Sequence, residues 1–526
     1  MLICALSKVK KLASYALIFF IGIYAVFLGT PGAFAAEDPR NTEGGVYNDS
    51  EYQEILFITG KPVILKGTVK SSGGAGRSGR GTYTSSVNFT LENADEGIKL
   101  TRRISFTTTE EKRDRQTVTV TKVNSFSESI KVGERTYTLK DFTFSKSVIT
   151  DDRPAVDYFS GNWSARKVYE TDKGAGQLVV DIIGETVGYD SFWGSTETQR
   201  VSGSLNFEGK VTVGEAVYED EWGGTFAFDA TYNRIKEVTY EENDPQYISF
   251  PGGFVLTENT DHYVRYTARL PEFDESGIST SGWEQYSGSL SLSGAPSYKR
   301  LPTHYFRDMG SHWARSDAEL LYGLGVLDRG EYFGPTVPMT RGEFARMLAR
   351  ALGLVSSDEG SAQNGRTVKR TIGVSLPWGG FGGTAGREEE KLFHDVPSDH
   401  PYYSEIKAVY ESGIIKGTGN GYFSPGEKLT RAQALTIFIR ALGFDHIPLA
   451  SYLLDAYRDA SQIPKWAVNS VFLAAEIGLV EGNSYGYLLP NSVLTRAEAA
   501  SLLTRFITYM QKDLRTEYRD RLLGYR

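Results

Sequence analysis

Apolar and polar residues alternate with a period of two through residues 37–300, for example at 117–121, 137–139, 142–144, 201–207 and 226–228. These runs are rich in Thr, Val, Tyr and Phe, which favour pleated strands. One apolar and one polar face indicate antiparallel sheets. We therefore predict an all-β antiparallel domain over 36–300, either a sandwich or barrel-like. The Gly/Ser/Arg-rich stretch 71–81 is predicted to be a loop, and 37–50 a loose N-terminal segment.

After residue 300 the apolar period changes to that of a helix, and one pattern occurs three times. Each copy ends in an apolar helical stripe, preceded by a Thr-Arg pair with Glu or Gln three residues after the Thr. This spacing is typical of a capping box, in which the Thr begins the helix. The three sets are Thr340, Arg341 and Glu343; Thr430, Arg431 and Gln433; and Thr495, Arg496 and Glu498.

The first part of each copy is also repeated. An aromatic-x-Asp opening is followed by an aromatic residue at the start of a helical stretch, a glycine turn and a Phe-x-Pro or Leu-x-Pro step. One copy cannot bury its stripe alone, so the three closing helices are predicted to pack together as an all-α bundle. The opening aspartates are Asp308, Asp395 and Asp459, the aromatics Trp313, Tyr402 and Trp466, and the second turn glycines Gly417 and Gly482.

The arginine after each Thr is unexpected, because a cation at the first helical position opposes the helix dipole. One interpretation is that Arg341, Arg431 and Arg496 join exposed backbone N–H groups in binding a carboxylate or phosphate. The other is that each arginine pairs with Asp308, Asp395 or Asp459 and locks neighbouring copies together. The spacing leaves both open.

Together these motifs resemble the surface-layer homology (SLH) domains of bacterial cell-surface proteins. The resemblance covers three modules in about 200 residues. It implies a pseudo-threefold helical assembly with grooves between modules that bind secondary cell-wall polysaccharide on peptidoglycan. It also implies the polysaccharide-binding residues, which are Arg341, Arg431, Arg496, Asp308, Asp395, Asp459, Trp313, Tyr402, Trp466, Gly417 and Gly482.

Three positions depart from the pattern. Arg329 replaces the second turn glycine in the first module, which puts that groove in doubt, and Gly342 replaces an alanine there. Gln433 replaces Glu in the second module. The predicted modules are 301–352, 392–444 and 445–510, with a Gly-rich insertion at 353–391 and a tail helix at 511–526.

Residues 1–35 have the pattern of a secretory signal peptide. Lys8, Lys10 and Lys11 precede an apolar run over 12–28, and small residues precede a cleavage site after Ala35. An uncleaved membrane anchor is the alternative. Cleavage removes Cys4, the single cysteine, and we expect no membrane contact afterwards.

Composition excludes several classes of protein. The 526 residues carry a formal net charge of −8, which argues against nucleic-acid binding. One cysteine and six histidines argue against disulfide scaffolds and thiolate or His-rich metal sites. We expect no cofactor, although the triplet Glu219-Asp220-Glu221 leaves Ca²⁺ or glycosidase chemistry open beside the simpler interpretation of a solvated turn. Four tryptophans suggest either core packing or a sugar-stacking platform: Trp163, Trp193, Trp222 and Trp283.

Two functions remain open from the sequence. In the first, a non-catalytic, secreted S-layer or S-layer-associated protein displays a structural or adhesive β domain on the cell wall, and self-association is a further partner to consider. In the second, the β domain is a wall-anchored carbohydrate-active enzyme or carbohydrate-binding module.

Overall fold

The computed structural model describes residues 39–73, 81–213, 216–242, 252–275, 277–355, 392–446 and 457–514. The predicted signal peptide, most of the predicted insertion and most of the predicted tail lie outside these residues. Within them, no helix has the length and apolar character needed to cross a membrane.

The N-terminal domain is one antiparallel sheet. Each strand pairs with the next along the chain from Val46–Tyr47 to Ser279–Ser293, and the short strand Ser297–Arg300 pairs with Gly253–Phe273. The first strand lies against the last ones. The backbone N–H of Tyr47 donates to Nδ1 of His262 (3.4 Å), and the side-chain amide of Asn48 donates to the Ser293 carbonyl (3.3 Å). The sheet is therefore nearly closed. Of the two predicted forms, a sandwich and a barrel-like sheet, the structure has the barrel-like one. The strands are β1 Val46–Tyr47, β2 Tyr52–Leu56, β3 Val63–Gly73, β4 Thr82–Asn93, β5 Ile98–Arg113, β6 Gln116–Val132, β7 Arg135–Asp151, β8 Val156–Thr171, β9 Gly176–Ser191, β10 Gly194–Val213, β11 Ala216–Glu241, β12 Gly253–Phe273, β13 Ser279–Ser293 and β14 Ser297–Arg300.

The interior of this sheet is only partly apolar. Phe142, Phe144 and Leu205 point inward, as the alternation predicts. At 117–121 the pattern is inverted, because Thr117 and Thr121 are the buried residues and the Thr121 hydroxyl hydrogen-bonds that of Thr108 at 2.8 Å. The period of two is thus a reliable sign of strands here, but it does not say which face is buried.

Buried charges occupy another part of the interior. The Arg102 guanidinium contacts Glu54 (2.8 Å), Glu128 (3.0 Å) and Glu43 (3.3 Å), and Lys167 contacts Glu43 (2.7 Å). Burial raises the pKa of Glu128, but the charges of Arg102 and Lys167 lower it more, so this carboxylate is held ionised. The cluster joins five separate segments of the chain.

The prediction of a loose segment over 37–50 is wrong for the described residues. A 3₁₀ turn at Pro39–Glu43 brings Asn41 to Glu197 (2.7 Å), and Glu43 into the Arg102 cluster. Asn41 and Glu43 therefore contact polar groups inside the sheet rather than lying in solvent. Residues 71–73, predicted to begin a loop, belong instead to strand β3.

The C-terminal region contains three opening and three closing helices, one of each per module. The opening helices are Arg315–Gly323, Tyr403–Glu411 and Val468–Glu476, and the closing helices are Arg341–Ala351, Arg431–Ala441 and Arg496–Thr508. Each closing helix packs against the opening helix of the next module, and the third packs against that of the first. The region is helical only in part, because loops and isolated bridges link the helices. A π-helical turn, Tyr509–Asp513, extends the last helix into the predicted tail.

A closed ring of backbone hydrogen bonds joins the three modules. The Met339 amide donates to Leu494 (2.8 Å), that of Leu494 to Leu429 (2.9 Å), and that of Leu429 to Met339 (2.9 Å). Beyond the ring, Phe438 contacts Phe344 and Phe506 with ring centroids 5.4 and 4.7 Å apart. The closing helices therefore share one core.

The β sheet docks on this core. The Trp193 indole N–H donates to the Ala351 carbonyl (3.0 Å), and the Ala155 amide donates to the Ala441 carbonyl (3.0 Å). Trp193 is 1% exposed. It belongs to the same buried cluster as the helical modules, so the two parts of the chain share a hydrophobic core.

Candidate functional site

Each closing helix begins with the predicted capping box. The Thr340 hydroxyl accepts from the Glu343 amide (3.3 Å), Thr430 from Gln433 (3.4 Å) and Thr495 from Glu498 (3.3 Å). In each case the side chain at the third helical position returns to the Thr amide. This places Arg341, Arg431 and Arg496 at the first helical position, as the spacing predicts.

The next two amides of each helix are already bound. The amides of Arg431 and Ala432 donate to the carbonyls of Ser492 (3.0 Å) and Pro490 (2.9 Å) in the third module. The other two helices are capped in the same way: Arg341 by Glu427, Gly342 by Pro425, Arg496 by Val337 and Ala497 by Pro335. The expectation that exposed N–H groups join the arginine in binding an anion is therefore wrong, and only the guanidinium groups remain for that role.

Two of the three arginines pair with a glutamate of the following module. Arg431 forms an ion pair with Glu498, and its side chain is 17% exposed. Arg496 pairs with Glu343 and also donates to the Phe333 carbonyl (3.1 Å), and its side chain is 33% exposed. Each glutamate uses its other carboxylate oxygen for its own capping box. Both guanidinium groups thus lie at module boundaries within reach of solvent.

The third arginine has a different environment. Arg341 should face Gln433 by the same threefold relation, but an amide cannot supply a carboxylate. Its guanidinium donates instead to the carbonyls of Phe423 (3.2 Å) and Lys416 (3.1 Å), and the residue is 8% exposed. Desolvation lowers the pKa of Arg341 despite the nearby charges of Glu427 and Asp395.

The three opening aspartates support loops. Asp308 accepts from the amides of Phe333 (2.8 Å) and Gly334 (2.7 Å), and burial raises its pKa less than these hydrogen bonds lower it. Asp395 does the same for Phe423 and Ser424, and Asp459 for Leu488 and Leu489. The second residue of each pair has positive φ, 71° at Gly334, 61° at Ser424 and 60° at Leu489. Pairing of the arginines with these aspartates, one of the two sequence interpretations, is therefore wrong.

The predicted aromatics differ in exposure. Trp313 and Trp466 are 63 and 59% exposed, whereas Tyr402 is half-buried beneath the Arg346 guanidinium, 4.7 Å from its ring centre. A Cβ at Gly342 would lie 3.2 Å from the Tyr402 ring, so glycine here permits close packing of the first two modules.

The two turn glycines are packing positions. A Cβ on Gly417 would meet the Phe393 ring and the Tyr422 carbonyl at 2.8 Å, and one on Gly482 would meet the Tyr457 ring at 3.1 Å. Together with the aspartates, they shape the loops against which the arginines lie.

Sequence reasoning missed Glu343 and Glu498 as partners of the arginines. Both were recognised only as capping residues. A signal was present, because the third helical position carries Glu in two modules and Gln in the other. Which residue they contact depends on the neighbouring module, and the local pattern does not contain that information.

The chemical candidates of the β domain are dispersed. Trp163, Trp193 and Trp222 are buried in packing roles, and Trp283 alone of the four is exposed. Asp220, the centre of the acidic triplet, is buried and accepts from the Ser279 hydroxyl at 2.5 Å. Within the described residues, no group of three His, Cys, Asp or Glu side chains is arranged to hold a metal ion.

A model of the S-layer homology domain matches residues 305–345, 392–435 and 456–500. The C-terminal region contains three S-layer homology domains. These SLH domains locate the protein at the cell surface or in the cell wall.

Similar proteins include both enzymes and S-layer proteins. The chain is 28% identical over 261 residues to Exoglucanase XynX of Acetivibrio thermocellus, covering 48% of this chain and 20% of that protein. It is 28% identical over 205 residues to an amylopullulanase of Thermoanaerobacterium thermosulfurigenes, covering 38% of this chain and 9% of the relative. It is 32% identical over 113 residues to S-layer protein sap of Bacillus anthracis, covering 22% and 13%. The chain thus spans a fifth or less of these relatives, and they assign no activity to its β domain.

Proposed function

We propose that the protein is a non-catalytic surface protein held to secondary cell-wall polysaccharide by its SLH domains, and that it displays the β domain as a structural or adhesive module. The observation that carries this proposal is the pair of partly exposed guanidinium groups at Arg431 and Arg496. Each lies at a module boundary opposite one glutamate. An anionic sugar can compete for such an arginine, because a planar guanidinium binds carboxylates through two parallel hydrogen bonds.

The exposed tryptophans support the same proposal. Trp313 and Trp466 lie two residues before the opening helices of the first and third modules, and these helices pack against the closing helices that carry Arg496 and Arg431. An exposed indole offers an apolar face for a sugar ring, and the guanidinium at the same module boundary offers charge. The first groove lacks both features, since Arg341 is buried and Tyr402 is covered by Arg346. We therefore assign polysaccharide binding to the second and third closing helices.

The remaining predicted residues have supporting roles in this proposal. Asp308, Asp395 and Asp459 hold the loops that frame each groove, and Gly417 and Gly482 keep those loops close to the modules. They act on the polysaccharide through the shape of the groove.

Sedimentation of the full chain with purified cell wall tests this function. We expect the protein to pellet with intact wall and far less with wall from which the secondary polymer has been extracted. Arg431→Ala and Arg496→Ala should each weaken binding by about 10- to 100-fold, the loss of one charged contact of roughly 1.5–3 kcal/mol. Arg113→Ala is the matched control, because Arg113 also has an ion pair with a glutamate, its side chain is 57% exposed, and it lies on β5 of the β domain.

The result that contradicts the proposal is unchanged pelleting of the Arg431/Arg496 double variant. Because both substitutions also remove ion pairs between modules, each variant needs a urea unfolding curve beside the binding curve. Weak binding by a variant that unfolds at the wild-type urea concentration identifies a loss of ligand contact.

An enzymatic β domain is the alternative, and one observation favours it. Glu208 and Glu221 are direct cross-strand partners on β10 and β11 and line a depression of about 370 Å³ beside Trp222. Paired carboxylates are the usual catalysts of glycoside hydrolysis. Release of reducing sugar from glucan or wall by the full chain, abolished in Glu221→Gln, would support this alternative.

A further inference from the structure

The outer face of the β domain carries a depression of about 1100 Å³ that crosses strands β7 to β13. Its residues come from rows that run perpendicular to the strands, because the cross-strand partners are in continuous register. One of these rows, on the outer face, has small or hydroxyl side chains at every position except Ile183. From β8 to β13 it consists of Ser164, Ile183, Ser202, Ala227, Thr267 and Ser287. Six strands spaced by about 4.8 Å give this row a length of about 24 Å.

Glycines on the inward side explain why the surface is concave here. A Cβ on Gly184 would lie 2.2 Å from the Trp163 ring, and one on Gly288 would lie 2.7 Å from the Tyr266 hydroxyl. These rings occupy the space that side chains at the two glycines would fill, so the backbone of the sheet lies closer to the core here than elsewhere. Small residues on the outer side and glycines on the inner side together form the trough.

The neighbouring outer row forms a charged wall. Glu185, Arg200, Asp229 and Arg265 follow one another as cross-strand partners. Their formal charges sum to zero, although residues 37–300 as a whole carry 29 basic and 40 acidic side chains. Both arginines share Asp229, at 3.9 and 3.4 Å, and these exposed ion pairs stabilise the fold little. Such side chains can redirect hydrogen bonds to a ligand at small cost.

Apolar surface is also present in the trough. Ile183 is 65% exposed as the second residue of the row, and Tyr263, which also lines the depression, is 43% exposed. A sugar ring has polar edges and apolar faces. Hydroxyl and charged side chains match the edges, and Ile183 and Tyr263 match the faces.

We propose that this trough binds an extended, uncharged glycan strand laid across β8 to β13. Its length suits several consecutive sugar rings, and its zero net charge does not select a polyanion such as nucleic acid. This site is separate from the SLH domains, so the protein would contact the wall or another polysaccharide at two places.

Titration of the full chain with two soluble hexasaccharides tests the proposal. Cellohexaose and the N-acetylglucosamine hexamer share extended geometry but represent an external glucan and the amino-sugar backbone of the wall. We expect one of them to bind with a Kd in the range of about 0.01–1 mM by calorimetry. Ser202→Phe, which fills the trough, should weaken this binding by about tenfold or more. Ser129→Phe is the matched control, on an exposed position of β6.

A second pair of variants covers the case in which Ser202→Phe disturbs folding. Arg265→Ser should weaken hexasaccharide binding, whereas Arg103→Ser, an exposed arginine on β5, should not. Absence of binding of either hexasaccharide by the wild-type chain at about 10 mM overturns the proposal. Equal losses of binding in the trough variants and their controls overturn it as well. If neither sugar binds and a trough variant abolishes self-association, the trough is instead a contact between copies of the chain, and the proposal is overturned.

The outcome is distinguishable from that of the anchoring experiment. Pelleting is repeated in the Ser202→Phe background, in which the trough is filled and the SLH domains are unchanged. This variant should still pellet with intact wall, and Arg431→Ala and Arg496→Ala should weaken its pelleting as they do in the wild type. The Arg431/Arg496 double variant should bind the hexasaccharide with wild-type affinity. A failure in one assay therefore leaves the other function standing.

Discussion

The asymmetry of the SLH ring predicts that Gln433→Glu stabilises the protein. Two of the three module boundaries have an Arg–Glu ion pair, at Arg431–Glu498 and Arg496–Glu343, and in the third Gln433 stands where the carboxylate would be. Arg341 is buried there. Within the described residues, the hydrogen bonds of its guanidinium go only to backbone carbonyls. Glutamate at position 433 would keep the capping box and offer its second oxygen to Arg341.

The expected gain is about 1–2 kcal/mol. A hydrogen bond to a charged group contributes roughly 1.5–3 kcal/mol, and desolvation of the new carboxylate offsets part of this. A negative charge in the first helical turn adds about 0.3–1 kcal/mol. The apparent melting temperature should rise by about 2–4 °C for each kcal/mol in a folding unit of this size. The reverse substitution, Glu498→Gln, should cost a similar amount by leaving Arg431 without its carboxylate.

A double-mutant cycle separates the ion pair from the helix dipole. Urea unfolding of Gln433→Glu is compared in the wild-type background and in Arg341→Met. If Arg341 is the partner, the gain shrinks to the dipole contribution in the Met background. A gain of equal size in both backgrounds, or a loss of stability in Gln433→Glu alone, would refute the threefold pairing argument.

Two further predictions concern the β domain. Burial and the nearby carboxylates of Asp152 and Asp190 raise the pKa of Asp157 to about 7. Its protonated form is thus favoured on folding, and stability falls as pH rises from about 4 to about 7. Asp157→Asn should therefore stabilise the protein by up to about 4 kcal/mol at pH 8 and by little at pH 4, measured as urea midpoints; equal effects at both pH values would contradict this. Trp193→Ala should cost about 3–5 kcal/mol and loosen the docking of the sheet, seen as faster proteolysis near residue 301, whereas Trp283→Ala, at an exposed position, should not.

Local sequence signals predicted local structure well. Each capping box depends on residues three apart, so Thr340, Thr430 and Thr495 could be placed as helix starts from the chain alone. The inward-facing Phe142 and Phe144 followed in the same way from alternation. The repeat added the threefold arrangement, because three stripes need one another for burial.

Partners from distant segments could not be predicted. The loops that cap the first helical amides belong to the following module, and so do the glutamates that pair with Arg431 and Arg496. In the β domain, Arg102 and Glu128 alternate like exposed residues but face a polar interior. From the sequence, Asn41 and Glu43 are typical of a loose terminus. Their partners, Glu197 and Arg102, lie far along the chain, so the local pattern does not reveal them.

The second closing helix connects the two proposed activities physically. It begins at Arg431, one of the two arginines proposed to bind polysaccharide, and its last residue, Ala441, contacts the β sheet. A helix leaves its final carbonyls unpaired. In the first two modules the sheet satisfies one such carbonyl each, since Trp193 donates to Ala351 and Ala155 donates to Ala441. An eleven-residue helix spans about 16 Å, so only this distance separates each helix start from the sheet. The β domain thus caps the first two closing helices, and a change that weakens its docking at Ala441 should also lower the stability of the proposed site at Arg431.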